Sequence, residues 1–179
     1  MEPEKARKLS LRAAVILILI AGAAYFFVPR GDTGEAIAAS ERKPVTEFAL
    51  PDLTGKQWKL TDHRGQVVLL NFWATWCPPC REETPGIVKL ANQYRGKGLA
   101  VAGVLMDDDK DAPVKEFMSQ YRMDYPVLVP PSDSSLLSAV SALPTTLLFD
   151  RHGRVVRRYQ GAVSESRFRR DIESTLSEP

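Results

Sequence analysis

With 179 residues, 44% of them hydrophobic and 26% charged, the chain has ordinary globular composition and length for a single compact core beside an attachment. Five of its 24 basic and two of its 22 acidic side chains fall within residues 1–30, so the remainder is close to neutral. That balance gives no case for nucleic acid as a partner.

The N-terminal region reads as a membrane attachment. Ala13 to Val28 is an unbroken run of 16 residues without a charge. As a helix it spans about 24 Å, slightly short of a hydrocarbon core but workable with snorkelling flanks. Lys5, Arg7, Lys8 and Arg12 precede the run, and positive flanks stay in the cytoplasm. Residues 1–30 are therefore expected to form a cytoplasmic N-terminus and a single-pass anchor through residues 13–28, with the rest on the extracytoplasmic side of the cell membrane. A cleaved signal peptide is the rival, since Ala36-Ile37-Ala38 has the small-x-small form of a cleavage site. The charges at Arg30, Asp32 and Glu35 favour the retained anchor. Residues 31–45, mixed in Gly, Ala, Ser and charge with no apolar period, read as a linker or a disordered tail. The folded domain is expected over residues 46–179.

Within that domain, Phe48, Leu50 and Leu53, then Trp58 and Leu60, flank the turn Thr54-Gly55-Lys56, which predicts a short hairpin. Val67 to Phe72 is an apolar run of strand length, as expected for a strand covered on both faces. A helix follows over Cys80 to Tyr94, with Pro85 inside to kink it and Gly96 and Gly98 to end it. Leu99 to Leu105 is a second buried run, and a helix between two such parallel strands makes a β-α-β unit. Asp111 can cap a further helix, with Pro113 in its first turn and Val114, Phe117, Met118 and Tyr121 on one face. Pro126 to Val129 is a short strand and Ser134 to Val140 a short helix. Thr145 to Phe149 and Val155 to Tyr159 form a hairpin around His152-Gly153, and Phe168, Ile172 and Leu176 mark a final amphipathic helix.

Trp76-Cys77-Pro78-Pro79-Cys80 follows the first buried strand and holds both cysteines of the chain. Two thiols at this spacing can close a disulfide on themselves. If the strand ends in a turn and Cys80 opens the helix, Cys77 lies at the helix N-terminus, where unpaired N–H groups and the dipole favour a negative charge. Thiolate is the nucleophilic form, so Cys77 is the candidate nucleophile. Cys80, one turn further in, is the candidate resolving thiol that attacks the mixed disulfide. Two plainer readings compete. The pair can be half a zinc site, although tetrahedral zinc needs four ligands and the chain adds only His63 and His152, far away in sequence. It can also be a structural bridge, although closing so short a loop removes little unfolded-state entropy. Trp76 offers a partner an apolar landing surface beside Pro78 and Pro79, while Trp73 fits either that surface or the core.

Asn71-Phe72-Trp73-Ala74-Thr75-Trp76-Cys77-Pro78-Pro79-Cys80, then Pro85, and Ala142-Leu143-Pro144-Thr145-Thr146 far downstream, together resemble a thioredoxin-like protein. The match is closest to the membrane-anchored, extracytoplasmic branch of TlpA and ResA type, and it runs from about Thr46 to the end. It implies an α/β, thioredoxin-like fold: a central mixed sheet flanked by helices, with an N-terminal hairpin and a strand-helix insertion between Leu105 and Leu143. It also implies thiol-disulfide oxidoreductase activity without cofactor or metal, and a cis bond between Leu143 and Pro144 facing the disulfide. The backbone of Leu143 would there pair with the incoming substrate chain, whereas an ordinary turn proline is the plainer reading of Pro144. Substrates in the resembling families are disulfide-containing exported proteins, among them apocytochrome c with its heme-attachment cysteines and copper-site assembly proteins. Their electrons come from a membrane thiol transporter. With no third cysteine this chain cannot relay electrons internally, so an outside donor must re-reduce it.

Departures from the best-known members carry mechanistic information. Cytoplasmic thioredoxins have a buried aspartate where this chain has Asn71, which cannot accept a proton. The resembling branch often has an acidic residue in the loop after the strand corresponding to Leu99–Leu105, here Asp107-Asp108-Asp109. Counting back from Phe117 points to Asp109 as the base for Cys80, with a solvated, helix-capping acidic loop as the alternative. Pro78 lacks an N–H, so one donor to the Cys77 thiolate is missing. A less stabilised thiolate makes a weaker oxidant, which predicts a reductant. A general extracytoplasmic oxidant is the rival in the same class, and a peroxide-reducing enzyme or a non-catalytic binding module lies outside it. Peroxide-reducing relatives place their reactive cysteine without Cys-x-x-Cys, beside a Thr and an Arg, and Arg81 is not in that position.

Overall fold

The computed structural model describes residues 34–45, 48–107, 113–132, 134–138 and 140–179. In chain order the strands are β1 (Glu35–Ala36), β2 (Ala49–Pro51), β3 (Gln57–Lys59), β4 (Val67–Trp73), β5 (Leu99–Leu105), β6 (Val127–Leu128), β7 (Thr145–Phe149) and β8 (Val155–Gln160). The helices are α1 (Pro78–Gln93), α2 (Val114–Tyr121), α3 (Ser135–Ser138) and α4 (Glu165–Leu176). Six strands form one mixed sheet in the order β1-β8-β7-β4-β5-β6, and β2 with β3 forms the expected separate hairpin.

Alternation along β4 builds the core. Val67, Leu69 and Trp73 pack with Ile87, Leu90, Phe168 and Ile172, whereas Val68, Leu70 and Phe72 pack with Leu50, Trp58, Leu60 and Leu128. Successive side chains of a strand point to opposite faces, so a central strand covered on both sides reads as an uninterrupted apolar run. α1, α2 and α4 cover the first face, and the hairpin with Leu60 covers the second. Truncating Leu70, which is fully buried, to Ala would cost about 3 kcal/mol.

β5 lies parallel to β4, with Val67 opposite Leu99 and Trp73 opposite Leu105, so β4, α1 and β5 are the β-α-β unit that the sequence predicts. α1 leaves its axis at Tyr94, and the chain turns through Gly96 and Gly98, both at positive φ, into β5. The insertion between β5 and β7 holds α2, β6 and α3. Pro113 stands at the N-cap of α2 rather than in its first turn, and Asp111 lies outside the described residues. β6 is shorter than the expected Pro126–Val129, because Val129 turns its N–H to the Pro51 carbonyl of the hairpin (2.8 Å). α3 likewise covers only Ser135–Ser138 of the expected 134–140.

The reading of residues 31–45 as a linker needs correction for residues 34–45, which are part of the fold. Glu35 and Ala36 pair antiparallel with Arg158 and Arg157, and the Ile37 N–H donates to the Val156 carbonyl (2.9 Å). The Arg42 guanidinium grips Glu178 at the other end of the chain and lies 3.7 Å from Asp150. A strand edge offers free backbone groups, and this segment uses the ones β8 leaves open. The expected anchor at residues 13–28 lies outside the described residues, among which no helix is long and apolar enough to cross a membrane.

Candidate active site

The site begins where β4 ends. Met106 continues the pairing of β5 by donating its N–H to the Trp73 carbonyl (2.9 Å), after which Ala74 to Cys77 turn into α1. Cys77 is the N-cap of α1, and its sulfur accepts the Cys80 N–H at 3.3 Å. Pro78 and Pro79 fill the first two helical positions, where a missing N–H costs nothing because no carbonyl waits for it. That chemistry starts the helix two residues before the expected Cys80.

Cys77 and Cys80 are joined in a disulfide with S–S 2.01 Å. Both residues are buried, but Cys77 lines a surface groove of about 360 Å³ and Cys80 does not. Trp76, Cys77, Pro78 and Pro79 contribute to the groove from one side of the sequence, Val140 to Leu143 from the other, with Met106 between them. Trp76 is 65% exposed, an unusual placement for so large an apolar side chain. The Leu143-Pro144 peptide is cis. Leu143 lines the groove, while Pro144 is buried and its carbonyl accepts the Gly161 N–H (2.8 Å). Of the residues singled out in the sequence, Trp76, Cys77, Pro78, Pro79 and Leu143 thus converge on one concavity.

Asp109 and Asp108 lie outside the described residues. Asp107, the one described member of that run, is occupied with Thr75, accepting its N–H at 2.9 Å and its hydroxyl at 2.6 Å. Trp73 is fully buried against Phe117, ring centroids 4.6 Å apart, and belongs to the core rather than to a landing surface. His63 stacks on Trp58 and bonds Gln66, and His152 is an exposed turn residue.

A carboxylate that the sequence reading passed over sits beside the pair. Glu83, one turn beyond Cys80 on α1, is only 4% exposed. Its Oε1 accepts from the Asn71 amide (2.8 Å) and its Oε2 from the Val163 N–H (2.9 Å). The same Asn71 amide donates to the Thr146 hydroxyl (2.9 Å). Burial pushes the Glu83 carboxyl up to about 7 against the pull of Val163, Asn71 and Thr146, because none of these donors carries a charge. One signal in the sequence could have found it. Asn71 interrupts a strand that is otherwise apolar, and a buried amide needs a partner.

A mixed sheet with a Cys-x-x-Cys disulfide at the N-terminus of its first long helix, and a cis proline beyond an apolar groove, defines a thioredoxin-fold oxidoreductase. A sequence model of the Redoxin family matches residues 40–176, and the chain belongs to that family. It is 32% identical over 172 residues to the thiol-disulfide oxidoreductase ResA of Geobacillus thermodenitrificans, covering 96% of this chain and 98% of the relative. Among solved structures, a DsbF homologue from Corynebacterium diphtheriae superposes with TM-score 0.71 at 28% identity, covering 82% of this chain and 95% of that one. A secreted thiol-disulfide isomerase from Corynebacterium glutamicum gives TM-score 0.74 at 25% identity, with 84% and 95% covered. The protein is accordingly a thiol-disulfide oxidoreductase, an enzyme acting on disulfide-containing protein substrates.

Proposed function

We propose that the protein is a membrane-anchored reductant of disulfides in exported proteins, working on the extracytoplasmic side of the cell membrane. The observation that carries the direction is the poverty of donors at Cys77. Its sulfur accepts one backbone N–H, from Cys80, because Pro78 and Pro79 have none to give. A thiolate with few donors is less stabilised, and a dithiol whose reduced form is less stabilised gives up its electrons more readily.

In the forward direction the Cys77 thiolate attacks one sulfur of the substrate disulfide, and the other substrate sulfur leaves. Glu83, titrating near neutrality, takes the proton of Cys80, whose sulfur then attacks Cys77. The substrate leaves as a dithiol and the protein keeps the Cys77–Cys80 bridge, two electrons poorer. Trp76, Pro78, Pro79 and Leu143 hold the substrate chain in the groove, with Pro144 fixing the end of that wall. Exported proteins whose cysteine pairs must stay reduced, such as apocytochrome c before heme attachment or metal-site assembly proteins, are the substrates that fit. A membrane thiol transporter returns the electrons. The relatives' names support the class, and the charge-free run at residues 13–28 behind a basic flank supports the location.

Equilibration with glutathione and dithiothreitol buffers tests the direction. A potential below the glutathione range of about −220 to −260 mV is expected, and one near −120 mV would reverse it. Labelling of intact cells with a membrane-impermeant maleimide, after mild reduction, tests the location. Cysteines that stay unlabelled until the cells are broken would place the domain inside.

A further inference from the structure

Two charges of opposite sign fasten the loop that carries the disulfide. Thr75, two residues before Cys77, is buried, and each of its polar groups is engaged. Its N–H and hydroxyl donate to the two oxygens of Asp107 at 2.9 and 2.6 Å. Its carbonyl accepts from Nε and Nη2 of Arg81 at 3.0 and 2.7 Å, a fork on a single acceptor. Asp107 follows β5 and Arg81 stands at the start of α1, so the loop is pinned between the end of a strand and the beginning of a helix.

Two further observations go beyond fastening. Arg81 is a cation at the N-terminal end of a helix, where the dipole favours anions. The Thr75 carbonyl and the Phe117 ring (5.9 Å) hold it there, and an anion at the same end, such as the Cys77 thiolate four residues earlier, gains from its charge. Moreover, among the described residues neither Arg81 nor Asp107 has an ion-pair partner. Other ionisable side chains around this end of α1 are Glu82, exposed, Glu83, buried and felt by the buried Tyr125, and the exposed Lys115 and Glu116 of α2, whose Phe117 lies under the Arg81 guanidinium (5.9 Å); residues 140–143 of the groove carry none.

We propose that Arg81 and Asp107 are positioning residues of opposed charge that hold the Thr75–Cys77 loop and set the ionisation of Cys77, Arg81 favouring the thiolate and Asp107 opposing it. The proposal rests on Cys77 being the attacking thiol. Two-electron reduction of the bridge with uptake of one proton leaves one thiolate and one thiol. Whatever stabilises that thiolate also makes the disulfide the stronger oxidant.

The test compares the full-length wild type with Arg81→Gln, Asp107→Asn, the double variant, Arg81→Lys and Thr75→Val, by the pH dependence of Cys77 alkylation and by equilibration with dithiothreitol. Arg81→Gln is expected to lower the ionisation constant of Cys77 roughly threefold to tenfold and Asp107→Asn to raise it as much. Those factors correspond to about 14 to 30 mV of opposite sign in a two-electron potential. The double variant returns close to the wild type. Thr75→Val, which removes one hydrogen bond and no charge, stays within about twofold. Arg81→Lys keeps the charge without the fork and holds closer to the wild type than Arg81→Gln does. Shifts of one sign in both single variants, or none in either, overturn the proposal and leave a clamp without electrostatic reach. Arg81 is exposed, so its two variants carry the test alone if Asp107→Asn does not fold. Mapping the alkylated residue separates the two readings. Labelling that begins at Cys80 removes the assignment of Cys77, whereas an unmoved Cys77 in every variant sinks only the role of Arg81 and Asp107.

Discussion

Asp150 at the β7–β8 turn and Glu83 beside the disulfide are both buried, 3% and 4% exposed, yet they titrate in opposite directions. Burial pushes both upward. At Asp150 that push is outweighed by the Arg154 and His152 N–H groups and by the Arg154 guanidinium, so its carboxyl lies below the usual carboxylate range. At Glu83 the partners are a backbone N–H, an amide and a hydroxyl, and the carboxyl stays at about 7. What separates them is a cation. Elsewhere in the domain buried or half-buried charges are paired, Arg157 and Arg167 on Asp171 and Arg42 on Glu178. At the disulfide end Glu83 is buried among uncharged partners, and a carboxyl held near neutrality can take up a proton in one step and release it in the next.

The comparison breaks most severely at the sulfurs. Cys80→Ser is expected to reduce turnover of a disulfide substrate to the uncatalysed level and to leave Cys77 in a mixed disulfide visible on non-reducing gels. A variant that still turned over would remove Cys80 as the resolving thiol.

Glu83→Gln sharpens it. The folded carboxyl at about 7 exceeds its ordinary value of 4.5, so between those pH values the folded protein binds a proton that the unfolded chain has lost. Stability is therefore full below pH 4.5 and falls as pH rises to 7, by about 3 kcal/mol in all. The glutamine variant lacks that slope. Guanidinium titrations from pH 4.5 to 7.5 should show it gaining on the wild type, and parallel curves would mean that Glu83 titrates normally. Its turnover should also lose the inflection near pH 7.

Asp150→Asn should do the reverse. A depressed folded pKa contributes stability above the ordinary value of 3.8 that is lost as pH falls below it. The variant is expected to lose about 2 kcal/mol at pH 7, with the gap closing in acid and the reduction potential unchanged. Should the potential move, the two ends of the domain are coupled. The smallest effect is at Arg42→Ala, about 1 kcal/mol, read as faster amide exchange in residues 34–45. Exchange at the wild-type rate would mean that β1 holds the segment without the clamp.

Much of this architecture is legible in the chain. β5 and β7 fall where the apolar runs place them, and the turn at His152-Gly153 closes through Asp150 and the positive φ of Gly153. Each is a local pattern, set by neighbours within a few residues. Glu83 is legible only through the demand that Asn71 makes for a partner, because Glu82-Glu83-Thr84 on a helix looks like any solvated face until β4, β7 and Val163 close over its second residue. Residues 34–45 likewise show no apolar period, since their ordering comes from backbone pairing with β8 and a guanidinium reaching Glu178, partners more than a hundred positions away.

The sequence by itself determined the chemistry on offer: two thiols one helical turn apart, prolines that begin the helix and withhold donors, and the apolar runs that put the pair at the end of a central strand. Only the tertiary structure decided which carboxylate stands near that pair, which wall faces it and which charges fasten its loop. Composition and periodicity are properties of neighbours along the chain. Desolvation, and the choice between a neutral and a charged partner, depend on segments that meet only when the sheet is assembled.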